Sequence, residues 1–186
     1  STQQVVLLAG STTSAVGSAN GVGSSASFND PSGVDISPDN SYCLVADFSN
    51  YQIRKIILST KQVSLFAGQT TSGTSNGVGS NAQFNNPIDI AISSDGTYCL
   101  VVDQLNNQMR KIIIATQQVT LFAGSPSSST GSSNGIGSSA SFNLPSGVVI
   151  SPDQSYCLIA DGNNNQIRKI IIATQEVSVF AGSSSG

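Results

Sequence analysis

Tyr42-Cys-Leu-Val-Ala-Asp-Phe-Ser-Asn-Tyr-Gln-Ile-Arg-Lys-Ile-Ile57 returns as Tyr98-Cys-Leu-Val-Val-Asp-Gln-Leu-Asn-Asn-Gln-Met-Arg-Lys-Ile-Ile113 and again as Tyr156-Cys-Leu-Ile-Ala-Asp-Gly-Asn-Asn-Asn-Gln-Ile-Arg-Lys-Ile-Ile171. Each copy is two runs of aromatic and β-branched residues around a polar turn, the pattern of paired strands. Upstream, Pro31–Ile36 forms a further strand that stops at the turn-prone Ser37-Pro38-Asp39-Asn40. Downstream, Gln62–Phe66 alternates apolar and polar and closes on Ala67-Gly68. Each unit therefore reads as four short antiparallel strands, and no segment carries a useful helical period. The Ala-Gly marks at Gly10, Gly68, Gly124 and Gly182 give periods of 58, 56 and 58 residues. Between Asn20–Gly68 and Asn134–Gly182, 36 of 49 positions are identical. The middle unit's two-residue deficit falls between Gly68 and Asn76, which marks a surface loop.

The division follows: a single repeat domain over 1–186, with a fourth-strand segment at 1–10 built on Gln4–Leu8, blades at 11–68, 69–124 and 125–182, and a tail at 183–186. Nine of the eleven aromatics occupy matched slots, as a core of equivalent layers requires. Only 9% of the 186 residues are charged, and 34 are serine. A net charge of −3 offers no positive field for nucleic acid or an anionic membrane. The chain has no histidine, which removes the commonest general base and metal ligand. No apolar run approaches the ~18 residues of a spanning helix, so no membrane insertion is expected.

The order Phe-Ala-Gly, then Asn-Gly-x-Gly-x-x-Ala-x-Phe-Asn-x-Pro, then Tyr-Cys-Leu followed by Asp-x-x-Asn-x-Gln-x-Arg-Lys-Ile resembles the long, ~57-residue form of the NHL repeat. The resemblance implies that each unit is one four-stranded blade of an all-β propeller, a fold that family closes with five or six blades. Two positions depart from the family pattern. Asn20, Asn76 and Asn134 stand where an acidic residue is common, and Ser-Tyr-Cys or Thr-Tyr-Cys opens the second strand in place of a small residue. Both weaken any loop-based ligand or ion site carried over from the family.

A blade buries its faces only against neighbours, and propellers typically have about 4–8 blades. Three blades leave two apolar end faces bare, so self-association is expected: two chains closing a six-bladed ring, or a longer array or filament. The strongest polar constellation is Asp47, Asn50 and Arg54, matched by Asp103, Asn106, Arg110 and by Asp161, Asn164, Arg168. It reads either as a ring of charges at one mouth or as a structural network in which Asp and Asn satisfy turn amides and Arg pairs with a carboxylate between blades. Repetition in every unit favours the network, because catalysis needs residues whose environments differ.

Cys43, Cys99 and Cys157 read as small buried hydrophobes, since equivalent slots on neighbouring blades lie about 10 Å apart, beyond disulfide reach. No metal site, cofactor or catalytic residue is expected. Asp39, Asp95 and Asp153 read as turn formers, and Asp35 and Asp89, the acids inside first strands, as groups facing a central channel. The loop hydroxyls Thr70, Thr71, Ser72, Ser127, Ser128, Ser129 and Thr130 are candidate O-glycan acceptors, balanced against a plain solvated loop. No Asn-x-Ser/Thr sequon occurs. The resulting expectation is a non-catalytic module for extracellular or cell-surface structure or protein/glycan interaction, without nucleic acid. The alternatives are a propeller-fold lyase or hydrolase fragment and an engineered or consensus propeller without a natural ligand.

Overall fold

The computed structural model describes residues 4–183, in which fifteen strands form three antiparallel sheets. The first sheet contains β1 (Gly21–Val22), β2 (Pro31–Ile36), β3 (Tyr42–Asp47), β4 (Gln52–Ile57) and β5 (Gln62–Gly68). The second contains β6 (Gly77–Val78), β7 (Pro87–Ile92), β8 (Tyr98–Asp103), β9 (Gln108–Ile113) and β10 (Gln118–Ala123). The third contains β11 (Gly135–Ile136), β12 (Pro145–Ile150), β13 (Tyr156–Asp161), β14 (Gln166–Ile171) and β15 (Glu176–Gly182). Within each sheet the first-born strand lies outermost, giving the order β1-β5-β4-β3-β2 and its two equivalents. The blades converge along their first long strands, with β2 packed on β7 and β7 on β12. The architecture is a three-bladed propeller segment.

Two expectations need correction. Each blade has five strands, not four: after the Asn-Gly turn the loop runs back along the outer edge, pairing Gly21 with Val63 and Val22 with Gln62. The segment Gln4–Leu8 is not a strand. A fourth strand takes its hydrogen bonds from a third strand, and no third strand precedes it among the described residues. Its continuation keeps the expected path, because Gly10 N donates to Gly23 O as Gly124 N does to Gly137 O. Residues 1–3 of that segment and 184–186 of the tail lie outside the described residues.

The strand alternation explains the stacking. On β8, Cys99 and Val101 face the first blade, while Tyr98, Leu100 and Val102 face the third. Successive side chains point to opposite faces, so a central blade is apolar on both. The first seam joins Tyr42, Leu44, Ala46, Ile53, Phe66 and Ala67 to Phe84, Ile90, Ile92, Cys99 and Val101 of the second blade. The second seam repeats it with Tyr98, Leu100, Val102, Met109, Phe122 and Ala123 against Phe142, Cys157, Ile159 and Ile170. Both Phe66 and Ala67 reach the same side because the β4–β5 register shifts there, setting two residues of β5 against one of β4. Gly68 permits the approach of the next blade: a Cβ there would sit 2.5 Å from Tyr51 O and 3.0 Å from Phe84 Cδ2, at φ +97°.

The turn between the first two long strands of each blade, β2–β3, β7–β8 and β12–β13, holds one hydrogen-bonded carboxylate. Asp39 Oδ1 accepts from Ser37 Oγ at 2.6 Å and from Ser41 N at 3.0 Å, and Asp95 and Asp153 repeat the arrangement with Ser93 and Thr97 and with Ser151 and Ser155. Donation first from the serine hydroxyl and then from the backbone amide lowers all three carboxyls from 3.8 to about 2. A folded-state pKa below the unfolded one gives stability that is present above pH 3.8 and lost as pH falls through about 2. Urea titrations between pH 5 and 1.5 are expected to show the midpoint falling over this window. The triple variant Asp39→Asn, Asp95→Asn, Asp153→Asn should flatten the decline, and parallel curves would exclude these turns as its source.

Candidate functional site

The invariant polar constellation is a buried clamp on the long loop of each unit. At the end of β3 the chain makes a single 3-10 turn, Phe48–Asn50, and leaves it through Tyr51 at φ 58°. That turn places Asn50 and Asp47 side by side, and the β3–β4 pairing brings Arg54 onto the same face, two pairs beyond Gln52. Asp47 Oδ1 accepts from Asn29 N at 2.8 Å, while Oδ2 accepts from Asn50 Nδ2 at 2.8 Å and Arg54 Nη1 at 3.0 Å. Asn50 Nδ2 also donates to Gly17 O at 2.7 Å. Arg54 donates further to Ser27 O, Ala19 O and Asn20 Oδ1, the last at 2.7 Å. Its guanidinium lies 5.3 Å from the centroid of the Phe28 ring.

The same bonds recur around Asp103, Asn106 and Arg110 and around Asp161, Asn164 and Arg168. The Arg–Asp pairs are 2.9–3.0 Å long with both side chains fully enclosed. They form no ring of charge at a mouth. Each Arg pairs with a carboxylate of its own blade, not across blades, because the two stand seven residues apart across one hairpin. Burial pushes the Asp103 carboxyl up to about 6, against the pull of Arg110, the Asn85 amide and Asn106. Arginine suits this position because its planar fork meets a carboxylate and several carbonyls at once.

One contributor escapes a reading by local motif. Asn20, Asn76 and Asn134 accept from the Arg Nη2 of their unit, besides preceding the glycine of a turn. The recoverable signal is the constant spacing of 34 residues from each Asn to its Arg.

The axial carboxylates do different work. β2 and β7 are sheet-edge strands, and edges leave amides unpaired. Asp35 bridges two blades: Oδ1 accepts from Ile36 N and Oδ2 from Ile92 N of the next blade, at 2.8 and 2.7 Å. Asp89 Oδ2 takes Val148 N of the third blade at 2.9 Å. Gly33 lets the strands meet, since a Cβ there would lie 2.6 Å from Asp89 Cα. These acids stitch first strand to first strand.

The cysteines are buried and unpaired, and burial raises their thiols, Cys157 to about 12 and Cys99 further still. Among the described residues no group of three or more His, Cys, Asp or Glu side chains converges on a common point. Of the loop hydroxyls, Thr70, Thr71, Ser72, Ser127, Ser129 and Thr130 are exposed, and Ser128 is half-buried. Ser127 Oγ lies between Ser125 Oγ and Ser129 Oγ at 2.9 and 2.8 Å, and Thr71 Oγ1 accepts from Gln83 Nε2 at 3.3 Å.

NHL repeat-containing protein 2 of Bos taurus is 30% identical over 167 residues, 83% of this chain, and its Homo sapiens counterpart 29% identical over 168. The repeats are NHL repeats. No protein-family model matches the chain. The chain spans 22% of the length of both relatives. Among solved structures, an auxiliary nutrient binding protein of Bacteroides thetaiotaomicron superposes with a TM-score of 0.66 at 21% identity, over 80% of this chain and 37% of that one. The fold it shares with this NHL segment is the β-propeller.

Proposed function

We propose that this NHL propeller segment is a non-catalytic module that acts at an extracellular or cell-surface location, within a larger assembly, by presenting hydroxyl- and amide-rich loops to a glycan or protein. The observation that carries the reading is the enclosure of every Arg–Asp pair. The groups most able to polarise a substrate are consumed in holding the loops in shape, and the loops themselves expose Ser and Thr. A rigid mooring beneath a surface of neutral donors and acceptors suits reversible hydrogen bonding to uncharged polar ligands.

Binding of purified chain to an array of neutral polysaccharides tests this. The triple variant Ser127→Ala, Ser129→Ala, Thr130→Ala is expected to weaken capture at least about tenfold, at about 0.5–1.5 kcal/mol for each of three lost hydrogen bonds. Capture unaffected by the variant, or turnover of a saccharide or ester by the purified chain, would overturn the reading. The same hydroxyls are the proposed acceptors for O-linked sugar, which intact mass after secretion from a glycosylating host would show.

A further inference from the structure

The two seams within the chain are not fastened alike. In the second seam, Asn107, held at φ 52° after the 3-10 turn of the middle unit, donates from Nδ2 to Ser128 O at 3.0 Å and accepts Leu144 N on Oδ1 at 2.8 Å. Beside it, Gln108 Nε2 donates to Ser125 O at 2.7 Å. Two of these bonds tie the middle blade to the ten-residue loop Ser125–Asn134 of its neighbour, and the third reaches Leu144 just before that blade's first long strand. In the first seam the slot of Asn107 holds Tyr51, and the facing loop from Gln69 to Asn76 has eight residues. Amide and long loop occur together, as do tyrosine and short loop.

Both open faces of the chain carry the amide-and-long-loop version. On the third blade the slots hold Asn165, at φ 53° and exposed, and Gln166, the counterparts of Asn107 and Gln108. On the first blade the loop Ser11–Asn20 again has ten residues, with a turn at 12–13 where the third unit turns at 126–127. Ser11 Oγ meets Thr13 Oγ1 at 3.1 Å, as Ser125 Oγ meets Ser127 Oγ at 2.9 Å. Ser14 and Asp30 both stand at φ 57°, where the third unit has Ser128 at 59° and Leu144 at 49°. The apolar surface is equally prepared: Phe180 is 58% exposed where Phe122 is 2%, and Val34 62% where Ile90 is 3%.

We propose that two copies of this chain join head to tail, the third blade of one against the first blade of the other, through a seam that copies the second internal one. Asn165 donates to Ser14 O and accepts Asp30 N of the second copy, Gln166 donates to Ser11 O, and Phe180 enters the apolar layer beside Val34. Two such seams close a ring of six blades; a rotation that fails to close gives an open ladder on the same seam. This deepens the assembly part of the proposed function and rests on it.

Light scattering and sedimentation of the intact chain test the seam. The expected species at tens of micromolar has twice the 19.0 kDa chain mass, or is a ladder of its multiples. Asn165→Tyr, which installs the first-seam residue at an exposed position, should weaken association roughly tenfold or more while leaving the circular dichroism and melting of the dilute monomer unchanged. Deleting Thr12 and Thr13, which shortens the facing loop to eight residues, should do the same. The two changes together should cost no more than the larger alone, because they remove one contact from its two sides. A chain that stays monomeric at about 100 µM, or association indifferent to both changes, overturns the seam. Polysaccharide capture by such a monomer would sink the seam alone, whereas a dimer sensitive to Asn165→Tyr that captures nothing would sink the ligand reading alone.

Discussion

Replacing Arg110 with methionine is expected to remove about 3–5 kcal/mol of folding stability, the loss typical when one member of a buried ion pair is deleted. Arg110 donates to Asp103 Oδ2, Gln83 O, Ser75 O and Asn76 Oδ1 at 2.8–3.2 Å. Without it, the Asp103 charge stays enclosed with only the Asn85 amide and Asn106 as donors, and three loop acceptors lose their partner. The neighbouring Lys111 supplies the control. Its ammonium lies 4.2 Å over the Tyr98 ring and is half-buried, so Lys111→Met should cost no more than about 1 kcal/mol. Combining Arg110→Met with Asp103→Leu should recover part of the loss, because the unpaired charge is then gone. Urea denaturation of the four proteins measures this, and a cost below about 1 kcal/mol for Arg110→Met alone would show that the clamp contributes little.

Phe84→Ala should cost about 3–5 kcal/mol, against less than about 1 kcal/mol for Phe180→Ala measured on the dilute monomer. Phe84 is fully buried, with its ring edge against Gly68 of the preceding blade and the Arg110 guanidinium 5.4 Å from its centroid. Truncation opens a cavity between two blades and uncovers the apolar flank of the clamp. Phe180 occupies the Phe122 slot, but no blade covers it among the described residues. Thermal or urea unfolding of both variants decides the matter. Equal losses would mean that the open face is already covered in the dilute chain, contrary to its exposure.

Both expectations depend on features that differ in how readily the sequence discloses them. The blade follows from hydrophobic alternation and turn chemistry, and the repeats confirm it three times over. The fifth strand is hidden because Gly21-Val22 is too short to carry a pattern, and its place depends on the loop that folds it back onto β5. Gln4–Leu8 has strand composition, yet composition cannot supply the neighbouring strand whose amides would pair with it.

The clamp was half legible. Once β3 and β4 pair with Asp47 opposite Gln52, Arg54 must project from the same face near Asp47, so an intrablade pair follows from hairpin register. What register cannot give is the return of Asn20, 34 residues upstream, to the same guanidinium. Asp35 and Asp89 illustrate the opposite failure. They stand two slots apart when the units are aligned, and comparison of repeats passes over residues that do one job from unmatched positions.

Each clamp begins and ends within one repeat, from Gly17 to Arg54 in the first. A gene segment encoding one unit therefore carries both the buried cation and the anion that neutralises it. Copying or deleting that segment changes the number of blades without stranding a charge in the interior. Unequal recombination between near-identical neighbours can then lengthen or shorten such an array in single steps, and every product inherits blades whose electrostatics are already balanced. The units in this chain, alike at 36 of 49 positions in the first and third, are suited to that mode of change.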